Sequence, residues 1–322
     1  MASAQGSHFG IRIKGTGSCV PSFVCTNAHL SSLVETSDEW IVTRTGIRER
    51  RISLDGKNTP LVLEASRKAL ENAEIEASQL DLIIVGTVTP DTLVPSQACT
   101  LQWQLGATCP AFDINAACSG FIYALDVAKN GILSGNYRNV LVVAGEVLSR
   151  ITNWQDRTTC VLFGDGAGAV VLTRVEHPVL FTTHLEAEGD KDGVLSCPGV
   201  QGGYPGGQFP PHVPSYLDMN GHEVFKFAVR AFINHIRKVL KENHLTREDI
   251  RWIIPHQANI RILEAASQRL GIPIERFAVI LENYGNTSGA SIPMALDELN
   301  RSGSLQRGDK LIFVAFGGGL TS

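Results

Sequence analysis

Short apolar runs alternate with amphipathic segments along most of the chain. The runs 82–86, 140–146 and 311–317 are bounded by polar or Gly-rich residues, as buried parallel strands are. Between them lie segments with apolar residues three and four positions apart, such as LEASRKALENAEIEASQLD from Leu63 onward. This alternation predicts an α/β fold whose mostly parallel sheets are covered by helices.

The same pattern occurs twice, which predicts an internal duplication. In each half a helix leads into a strand, then into a second helix, a predicted strand at 111–114 or 277–281, a turn of small residues and a further helix. Asp81 matches Asp249, and Cys118 matches Thr287 at nearly the same offset along the chain. We therefore expect two similar halves, 1–175 and 176–322, that share one active site between them.

The first half ends in a Gly-rich turn and a strand within 160–173, and the second half shows no counterpart before the final GGGLTS. We expect the second half to be one strand short, with an open sheet edge.

Composition narrows the class of protein. The 322 residues suggest about two domains, and 43% hydrophobic with 19% charged residues are values of a globular chain rather than a disordered one. The formal charge of −4 disfavours a dedicated nucleic-acid-binding protein. The seven cysteines form no C-x-x-C pair, which disfavours a disulfide framework and a zinc site. With neither an 18-residue apolar run nor a signal-peptide pattern, we expect a soluble cytoplasmic protein.

Cys118 is set apart from the other cysteines by its position. It follows the predicted strand 111–114 and precedes a segment with Phe121 and Leu125 at helical spacing. A thiol at a helix N-terminus experiences the positive end of the helix dipole, which favours the thiolate. We therefore expect Cys118 to be a nucleophile, with a buried structural cysteine as the alternative.

Two polar residues follow strands of the second half. His256 lies in IIPHQAN, and Asn286 lies in NYGNTSGA, next to the position that the repeat matches to Cys118. An imidazole and an amide can stabilise a developing oxyanion, while a structural histidine and a turn asparagine are the alternatives. Papain-like proteases use the same three residue types, but the papain signature around the cysteine is absent.

Six segments carry a resemblance to a known family. They are TSDEWIVTRTGIRER (36–50), DINAACSGFIYAL (113–125), DRTTCVLFGDGAGA (156–169), IIPHQANIRIL (253–263), NYGNTSGASIP (283–293) and FGGG (316–319). In this order they resemble β-ketoacyl-acyl-carrier-protein synthase III, a thiolase-fold condensing enzyme. The resemblance implies a thiolase-like α/β fold, in which two pseudo-symmetric mixed-sheet halves form an αβαβα layered arrangement.

The resemblance also implies an acyltransferase that initiates fatty acid synthesis. Cys118 would take an acyl group from acyl-CoA, and His256 and Asn286 would hold the thioester carbonyl of malonyl-acyl-carrier protein as carbon dioxide leaves. The enolate would attack the acyl-Cys118 thioester, and the backbone N–H groups of Cys118 and Gly318 would form the oxyanion hole. Because decarboxylation supplies the carbanion, no metal or redox cofactor is expected. The family further implies a homodimer.

The resemblance assigns CoA and carrier-protein contacts as well. Trp40, Arg44 and Arg157 match the CoA contacts, and Thr36 to Glu39 reads as a capping box that opens the helix carrying the first two. The acidic carrier protein is expected at the segment after His256 and at a basic helix face, for which an ordinary solvated face is the alternative. These positions are Gln257, Ala258, Asn259, Ile260 and Arg261, together with Lys226, Arg230, Arg237 and Lys241.

Two further segments concern the substrate. Val94, before Pro95, is smaller than the aromatic residue that acetyl-using relatives often carry, so it predicts an acyl-pocket wall with room for a longer or branched primer. The Gly- and Pro-rich stretch 196–214 has two interpretations, a cover over the site or part of a subunit interface.

Three other functions remain as alternatives. A thiolase-fold synthase of a polyketide or other secondary-metabolite pathway would use the same Cys-His-Asn trio. A degradative thiolase is disfavoured because 316–319 contains no second cysteine. A non-catalytic acyl-binding scaffold is disfavoured because all three polar residues are present.

Overall fold

The apolar runs of the sequence form strands, and the amphipathic segments form helices. A computed structural model describes residues 9–190, 192–199 and 216–322. Its strands are β1 (Gly10–Cys19), β2 (Phe23–Thr26), β3 (Glu49–Ile52), β4 (Leu82–Gly86), β5 (Ala111–Ile114), β6 (Asn139–Val147), β7 (Asp165–Val175), β8 (Leu195–Ser196), β9 (Asp218–Met219), β10 (Ile250–Pro255) and β11 (Lys310–Val314). Its α-helices are α1 (Asn27–Ser31), α2 (Asp38–Thr45), α3 (Thr59–Ala73), α4 (Gln97–Leu105), α5 (Gly120–Leu133), α6 (Gly221–Glu242), α7 (Ile260–Leu270), α8 (Leu281–Tyr284) and α9 (Ser291–Arg301).

The principal sheet is mixed. Its order is β1-β7-β6-β4-β5, in which β4 runs parallel to β5 and β6 while β7 runs antiparallel to β6 and β1. A second sheet pairs β10 with β11 in parallel. The parallel strands place their carboxyl ends, and the residues that follow them, at one edge of each sheet.

The hydrophobic core consists of three clusters that alternate with the sheets. Helices α3 and α4 pack on one face of the five-stranded sheet, and α5 and α9 pack between its other face and β10. Helices α6 and α7 pack on β10 and β11 from the far side. Because alternate residues of a buried strand point to opposite faces, apolar residues along β4 serve two clusters at once. The result is the αβαβα layering that the family resemblance implies.

The prediction of a strand at 277–281 is wrong. Only Phe277 forms a parallel bridge, to Ile253 of β10, and the chain then enters the short helix α8. The C-cap of α8, Gly285, has φ of 66° and would place a Cβ 2.8 Å from the carbonyl oxygen of Leu162, so the sharp exit needs a glycine.

The second half lacks a full counterpart of β7 among the described residues. Instead the last residues pair in antiparallel fashion with 186–190, through mutual backbone hydrogen bonds of 2.9 Å between Glu186 and Ser322. In the described chain β11 pairs only with β10 as a strand.

Part of the Gly- and Pro-rich stretch 196–214 belongs to the described chain. Of the stretch 196–214, residues 200–214 lie outside the described residues, and Ser196 belongs to β8, which pairs with β9. Within the described ranges, every helix is too short or too polar to cross a membrane.

Candidate active site

A cavity of about 1080 Å³ lies at the carboxyl ends of the parallel strands. Its walls come from the segments that follow β4, β5, β10 and β11. Cys118, His256, Asn286 and Gly318 all line it, so the structure brings the predicted trio and the predicted glycine into one space. Convergence of polar groups from separate segments in a largely apolar cavity is typical of a catalytic site.

Cys118 lies in a single 3₁₀ turn, Ala117–Ser119, directly before α5. Ala117 has a positive φ of 47°, and its N–H donates to Oδ1 of Asn115 at 3.3 Å. A non-glycine residue in the left-handed region is unusual and is common where a site constrains the backbone. The turn presents the half-buried thiol to the cavity.

The free thiol of Cys118 is not in the thiolate form, contrary to the sequence-based expectation. Burial raises its pKa to about 12. The Ser288 hydroxyl, which hydrogen-bonds the sulfur, lowers the pKa, and the negative charge of Glu146 raises it further. Loss of hydration at the sulfur therefore outweighs the helix-dipole effect on which the expectation rested. The proton must leave the thiol as the substrate reacts.

Glu146 is a buried carboxyl that sequence reasoning missed. Burial raises its pKa to about 7, although several hydrogen bonds oppose the shift. It accepts hydrogen bonds from the hydroxyls of Thr87 and Thr89 and from the N–H of Val88. These three residues line the cavity, so the hydrogen bonds to Glu146 fix the position of one cavity wall from its buried side.

Asn286 is oriented by its own turn. Its Oδ1 accepts the N–H of Ser288 at 2.8 Å, and its backbone bonds to Leu162 and Gly164. Since the amide oxygen is engaged, the amide NH₂ is the group left for a ligand, and no residue of the described chain accepts from it. The side chain is therefore preorganised as a donor.

His256 is buried at the end of β10. Its backbone N–H donates to the carbonyl of Val314 at 2.8 Å and so extends the pairing of β10 with β11. Its ring packs edge-on against the ring of Phe316, with centroids 5.2 Å apart. Nδ1 lies 2.9 Å from Oγ of Ser291. Burial lowers the pKa of His256 to about 3, so the imidazole is neutral at physiological pH.

The Gly-rich segment after β11 lies against the nucleophile turn. A Cβ on Gly317 would lie 2.6 Å from the backbone nitrogen of Cys118, so only glycine fits there. Neither Cys118 nor Gly318 donates its N–H to another residue in the part of the chain that the structure describes. These are two available backbone donors at the edge of the cavity.

The residues predicted to bind CoA gather around one ring. The guanidinium carbons of Arg44 and Arg157 lie 4.6 Å and 5.2 Å from the ring centroid of Trp40. Trp40 and Arg44 line the cavity, and Arg157 is fixed by a 3.0 Å hydrogen bond to the carbonyl of Glu35. The expected capping box is wrong by one residue, since Ser37, not Thr36, caps α2 by accepting the N–H of Trp40.

The predicted carrier-protein contacts separate into buried and exposed residues. Gln257 is corrected to a structural residue, because its buried amide bonds the backbones of Pro255, Ala278 and Ile280. The other five positions lie at the cavity wall or at the surface near it. Ala258 and Asn259 line the cavity, Asn259 caps α7, Ile260 packs against Gly46, and Arg261 and Lys226 are exposed.

The prediction that Val94 lines the acyl pocket does not hold within one chain. Its side chain is 88% exposed and does not line the cavity, whereas its neighbour Leu93 does.

Sequence reasoning also missed two serines of the Asn286 turn. Ser288 contacts Cys118 and orients Asn286, and Ser291 contacts His256. Their only signal in the sequence is the run of small residues after Asn286, which by itself is typical of any tight turn.

Known proteins of the same architecture match this chain over nearly its full length. The family described as 3-oxoacyl-[acyl-carrier-protein (ACP)] synthase III matches residues 112–189, and its C-terminal part matches residues 240–322. A β-ketoacyl-[acyl-carrier-protein] synthase III from Xylella fastidiosa is 52% identical over 313 residues, which is 96% of this chain and 95% of that protein. The chain belongs to the 3-oxoacyl-[acyl-carrier-protein] synthase III family.

Solved structures agree with this assignment. The synthase III of Aquifex aeolicus is 46% identical with a TM-score of 0.90, each chain being covered to 97%. A priming β-ketosynthase from a polyketide biosynthetic pathway has the same TM-score of 0.90 but is 36% identical, over 97% of this chain and 94% of that one. The two synthase III proteins named here, at 52% and 46% identity, are more similar to this chain than that ketosynthase, so the comparison does not favour the polyketide alternative.

Proposed function

We propose that this chain initiates fatty acid synthesis by moving an acyl group from an acyl-CoA to Cys118 and condensing it with malonyl-acyl-carrier protein. As a member of its family it is a condensing enzyme of the acyltransferase type. The observation that carries the assignment of residues is the single cavity lined by Cys118, His256 and Asn286. The halves 1–175 and 176–322 are proposed to share this site, because the nucleophile comes from one and the two donors come from the other.

The first step is transfer of the acyl group. The sulfur of Cys118 attacks the thioester carbonyl, the carbon–sulfur bond to CoA breaks, and the thiol proton passes to the departing CoA thiolate. The N–H groups of Cys118 and Gly318 stabilise the tetrahedral oxyanion, for which they are available because no other described residue accepts them. Because the pKa of the thiol is about 12, proton transfer accompanies attack.

The second step is decarboxylative condensation. The thioester carbonyl of the malonyl group accepts hydrogen bonds from the Asn286 amide and from His256. As the bond to carbon dioxide breaks, its electron pair forms an enolate whose carbon attacks the acyl-Cys118 thioester. Cys118 leaves as a thiolate and takes a proton from solvent. Since His256 is neutral, the pair stabilises the enolate without supplying a proton to its carbon. This chemistry needs no metal or redox cofactor.

CoA is proposed to bind at the mouth of the cavity. Trp40 offers a ring face to the adenine, and Arg44 and Arg157 can stack beside it while their positive charges attract the CoA phosphates. The carrier protein is proposed to dock near Arg261, with the basic face of α6 as an extension. Lys226 and Arg230 of that face are paired with Glu223 and Glu188, which reduces the net attraction there.

The proposed homodimer would use the free edge of β5. Exposed apolar side chains cluster in sequence around this edge strand and the helix before it, namely Leu93, Val94, Trp103 and Phe112. A second copy that covers them would bury a surface that is otherwise unfavourable in water, and Val94 would then belong to the interface. The free cysteines of the described chain support a reducing, cytoplasmic compartment.

Intact mass spectrometry tests the proposed nucleophile. The protein is incubated with a panel of straight and branched acyl-CoA thioesters, and one acyl adduct is expected. The adduct should be absent in Cys118→Ala and present in Cys99→Ala, which removes an exposed thiol outside the cavity. An adduct that persists in Cys118→Ala, or no adduct with any thioester, contradicts the proposal. The preferred chain length in the same panel identifies the primer.

A further inference from the structure

Arg50 is a buried cation of β3 that the proposed mechanism does not use. Its side chain is fully buried and lies outside the cavity lining. The guanidinium donates to three neutral oxygens, which are the carbonyl of Val161 at 2.7 Å, Oδ1 of Asn27 at 2.7 Å and the carbonyl of Cys25 at 3.2 Å. Burial lowers the pKa of Arg50 to about 10, so the group is charged at neutral pH. A buried charge costs free energy, so its rigid fork of donors is of most value for the segments that it holds in place.

One side of the fork holds the cavity wall that pairs with Asn286. Val161 begins the run 161–163, which lines the cavity. The N–H of Asn286 donates to the carbonyl of Leu162 at 2.8 Å, and the N–H of Gly164 donates to the carbonyl of Asn286 at 3.0 Å. Both backbone groups of Asn286 are therefore fixed by the segment whose first carbonyl Arg50 binds.

The stem of Arg50 packs where the same two segments meet. A Cβ on Gly164 would lie 3.1 Å from the Cβ of Arg50, and a Cβ on Gly285 would lie 3.3 Å from that same atom. Gly164 belongs to one of the paired segments and Gly285 directly precedes Asn286 in the other. Arg50 therefore contacts both partners of the pairing with its stem while its fork binds Val161.

The other side of the fork is anchored at α2. Asn27, which accepts from the guanidinium, donates its own amide to Oδ1 of Asp38 at 2.8 Å and to the carbonyl of Ile47 at 2.8 Å. Asp38 is the first residue of α2, so one amide links the positive charge of Arg50 to a negative charge. This anchor keeps the guanidinium at a fixed point against which the segment 161–164 is held.

We infer that Arg50 is a positioning residue for Asn286. By holding the segment 161–164, it keeps the backbone of Asn286, and with it the amide NH₂, in the place from which the amide donates to the malonyl thioester carbonyl. The inference deepens the proposed function and rests on it, because this placement matters only if the amide acts on that carbonyl. A displaced donor loses most of its effect on a developing oxyanion. Transfer of the acyl group uses the N–H groups of Cys118 and Gly318 instead, so it should be spared.

The test begins with three single variants. Arg50→Met keeps an unbranched stem but removes every donor, and Arg50→Lys keeps the charge and part of the donor capacity. Arg48→Met is the matched control, because it removes a nearby arginine that is exposed and paired with Glu282. In Arg50→Met the limiting rate of carbon dioxide release from malonyl-acyl-carrier protein should fall about 10- to 100-fold, while KM and the rate of Cys118 acylation stay within about 3-fold of wild type. Arg50→Lys should recover part of the rate, and Arg48→Met should match the wild type.

The same substitution in the Asn286→Ala background separates positioning from general support of the fold. If Arg50 acts through the amide of Asn286, Arg50→Met causes no further loss of carbon dioxide release once that amide is gone. An arginine that only supports the fold would lower the rate by the same factor in both backgrounds and would lower acylation as well.

Several results would overturn the inference. These are wild-type carbon dioxide release in Arg50→Met, equal loss of acylation and release, or an equal factor in both backgrounds. If circular dichroism shows that Arg50→Met does not fold, Arg50→Lys has to show a smaller loss that is confined to carbon dioxide release and absent with Asn286→Ala. Wild-type release in Asn286→Ala itself contradicts the proposed function of Asn286. An impaired Asn286→Ala beside an unimpaired Arg50→Met contradicts only the inference about Arg50.

Discussion

The turn before α5 and the turn before α9 have closely similar backbones but carry different chemistry. Each begins with an asparagine whose Oδ1 accepts the N–H two residues later, from Asn115 to Ala117 and from Asn286 to Ser288. Ala117 and Ser288 have nearly the same positive φ, 47° and 51°. Each is the first residue of a 3₁₀ turn that leads into a helix. The backbones therefore match Ala117 to Ser288, which corrects the match of Cys118 to Thr287 expected from the sequence.

The difference between the turns lies in which side chain meets the substrate. The residue after Ala117 is the nucleophile Cys118, and the residue after Ser288 is Gly289, which has no side chain. In the second turn Asn286 itself faces the cavity, where it meets His256, which comes from the end of β10. In the proposed mechanism one kind of backbone turn thus supplies a nucleophile in the first case and a hydrogen-bond donor in the second, which would divide the two steps of the reaction between the turns.

Loss of the Asn286 amide should have the largest effect on this division. Asn286→Ala should lower carbon dioxide release from malonyl-acyl-carrier protein by roughly 100- to 1,000-fold, as removal of an oxyanion donor does. Acylation of Cys118 should change by less than about 5-fold, since the amide does not contact the acyl-CoA carbonyl in our account. Both rates are checked in quenched assays that measure released carbon dioxide and acyl-enzyme.

The equivalent change in the first turn is the matched comparison. Asn115→Ala removes the acceptor for the Ala117 N–H, so it should slow acylation more than carbon dioxide release. Equal losses of both activities in both variants would show that the turns do not work separately.

The next largest effect should come from Glu146. Its pKa is raised from 4.5 to about 7, so the folded protein holds this proton more tightly than the unfolded chain does. The resulting stabilisation is complete below pH 4.5 and is lost as the pH rises through 7; it amounts to about 3 kcal/mol at most. Glu146→Gln should remove this part of the pH dependence, which urea unfolding at pH 5 and pH 8 measures.

The same variant probes the nucleophile turn. Because the charge of Glu146 raises the pKa of Cys118, Glu146→Gln should increase alkylation of Cys118 by iodoacetamide above pH 7. Wild-type pH profiles for both unfolding and alkylation would contradict the assigned role of the carboxyl.

The smallest effect should come from the mouth of the cavity, which both turns share. Trp40→Ala should raise the KM for acyl-CoA by about 3- to 30-fold without a change in the limiting rate of acylation, as loss of ring stacking and cation–π contacts predicts. An acyl-pantetheine substrate has no adenine, so it provides the control. A KM that rises equally for both substrates would place Trp40 elsewhere in recognition.

The sequence pattern predicted the α/β fold and the residue trio because both depend on local signals, whereas the layered arrangement came from the family resemblance. Apolar strand periodicity and the repeated order of elements are visible in any linear pattern, and Cys118, His256 and Asn286 each follow an apolar run. The strand at 277–281 was wrong because its pairing with β10 stops after the bridge from Phe277 to Ile253 and the chain enters α8 at Leu281, a change of direction that an apolar run does not reveal.

Other parts of the site depended on contacts between distant segments. The pKa of Cys118 is governed by burial and by groups from the other half of the chain, such as Ser288. The burial of Gln257, the exposure of Val94 and the contact of Ser291 with His256 likewise exist only in three dimensions. Sequence position therefore identified which residues line the site but not their protonation.

The most direct test of the account compares Cys118→Ala with Asn286→Ala in both steps. Acyl-enzyme formation is measured by intact mass after exposure to acyl-CoA, and carbon dioxide release is measured from malonyl-acyl-carrier protein alone. We predict that Cys118→Ala forms no acyl-enzyme but still releases carbon dioxide, and that Asn286→Ala forms acyl-enzyme but releases almost none. If each variant loses both activities, the two turns do not divide the reaction between them.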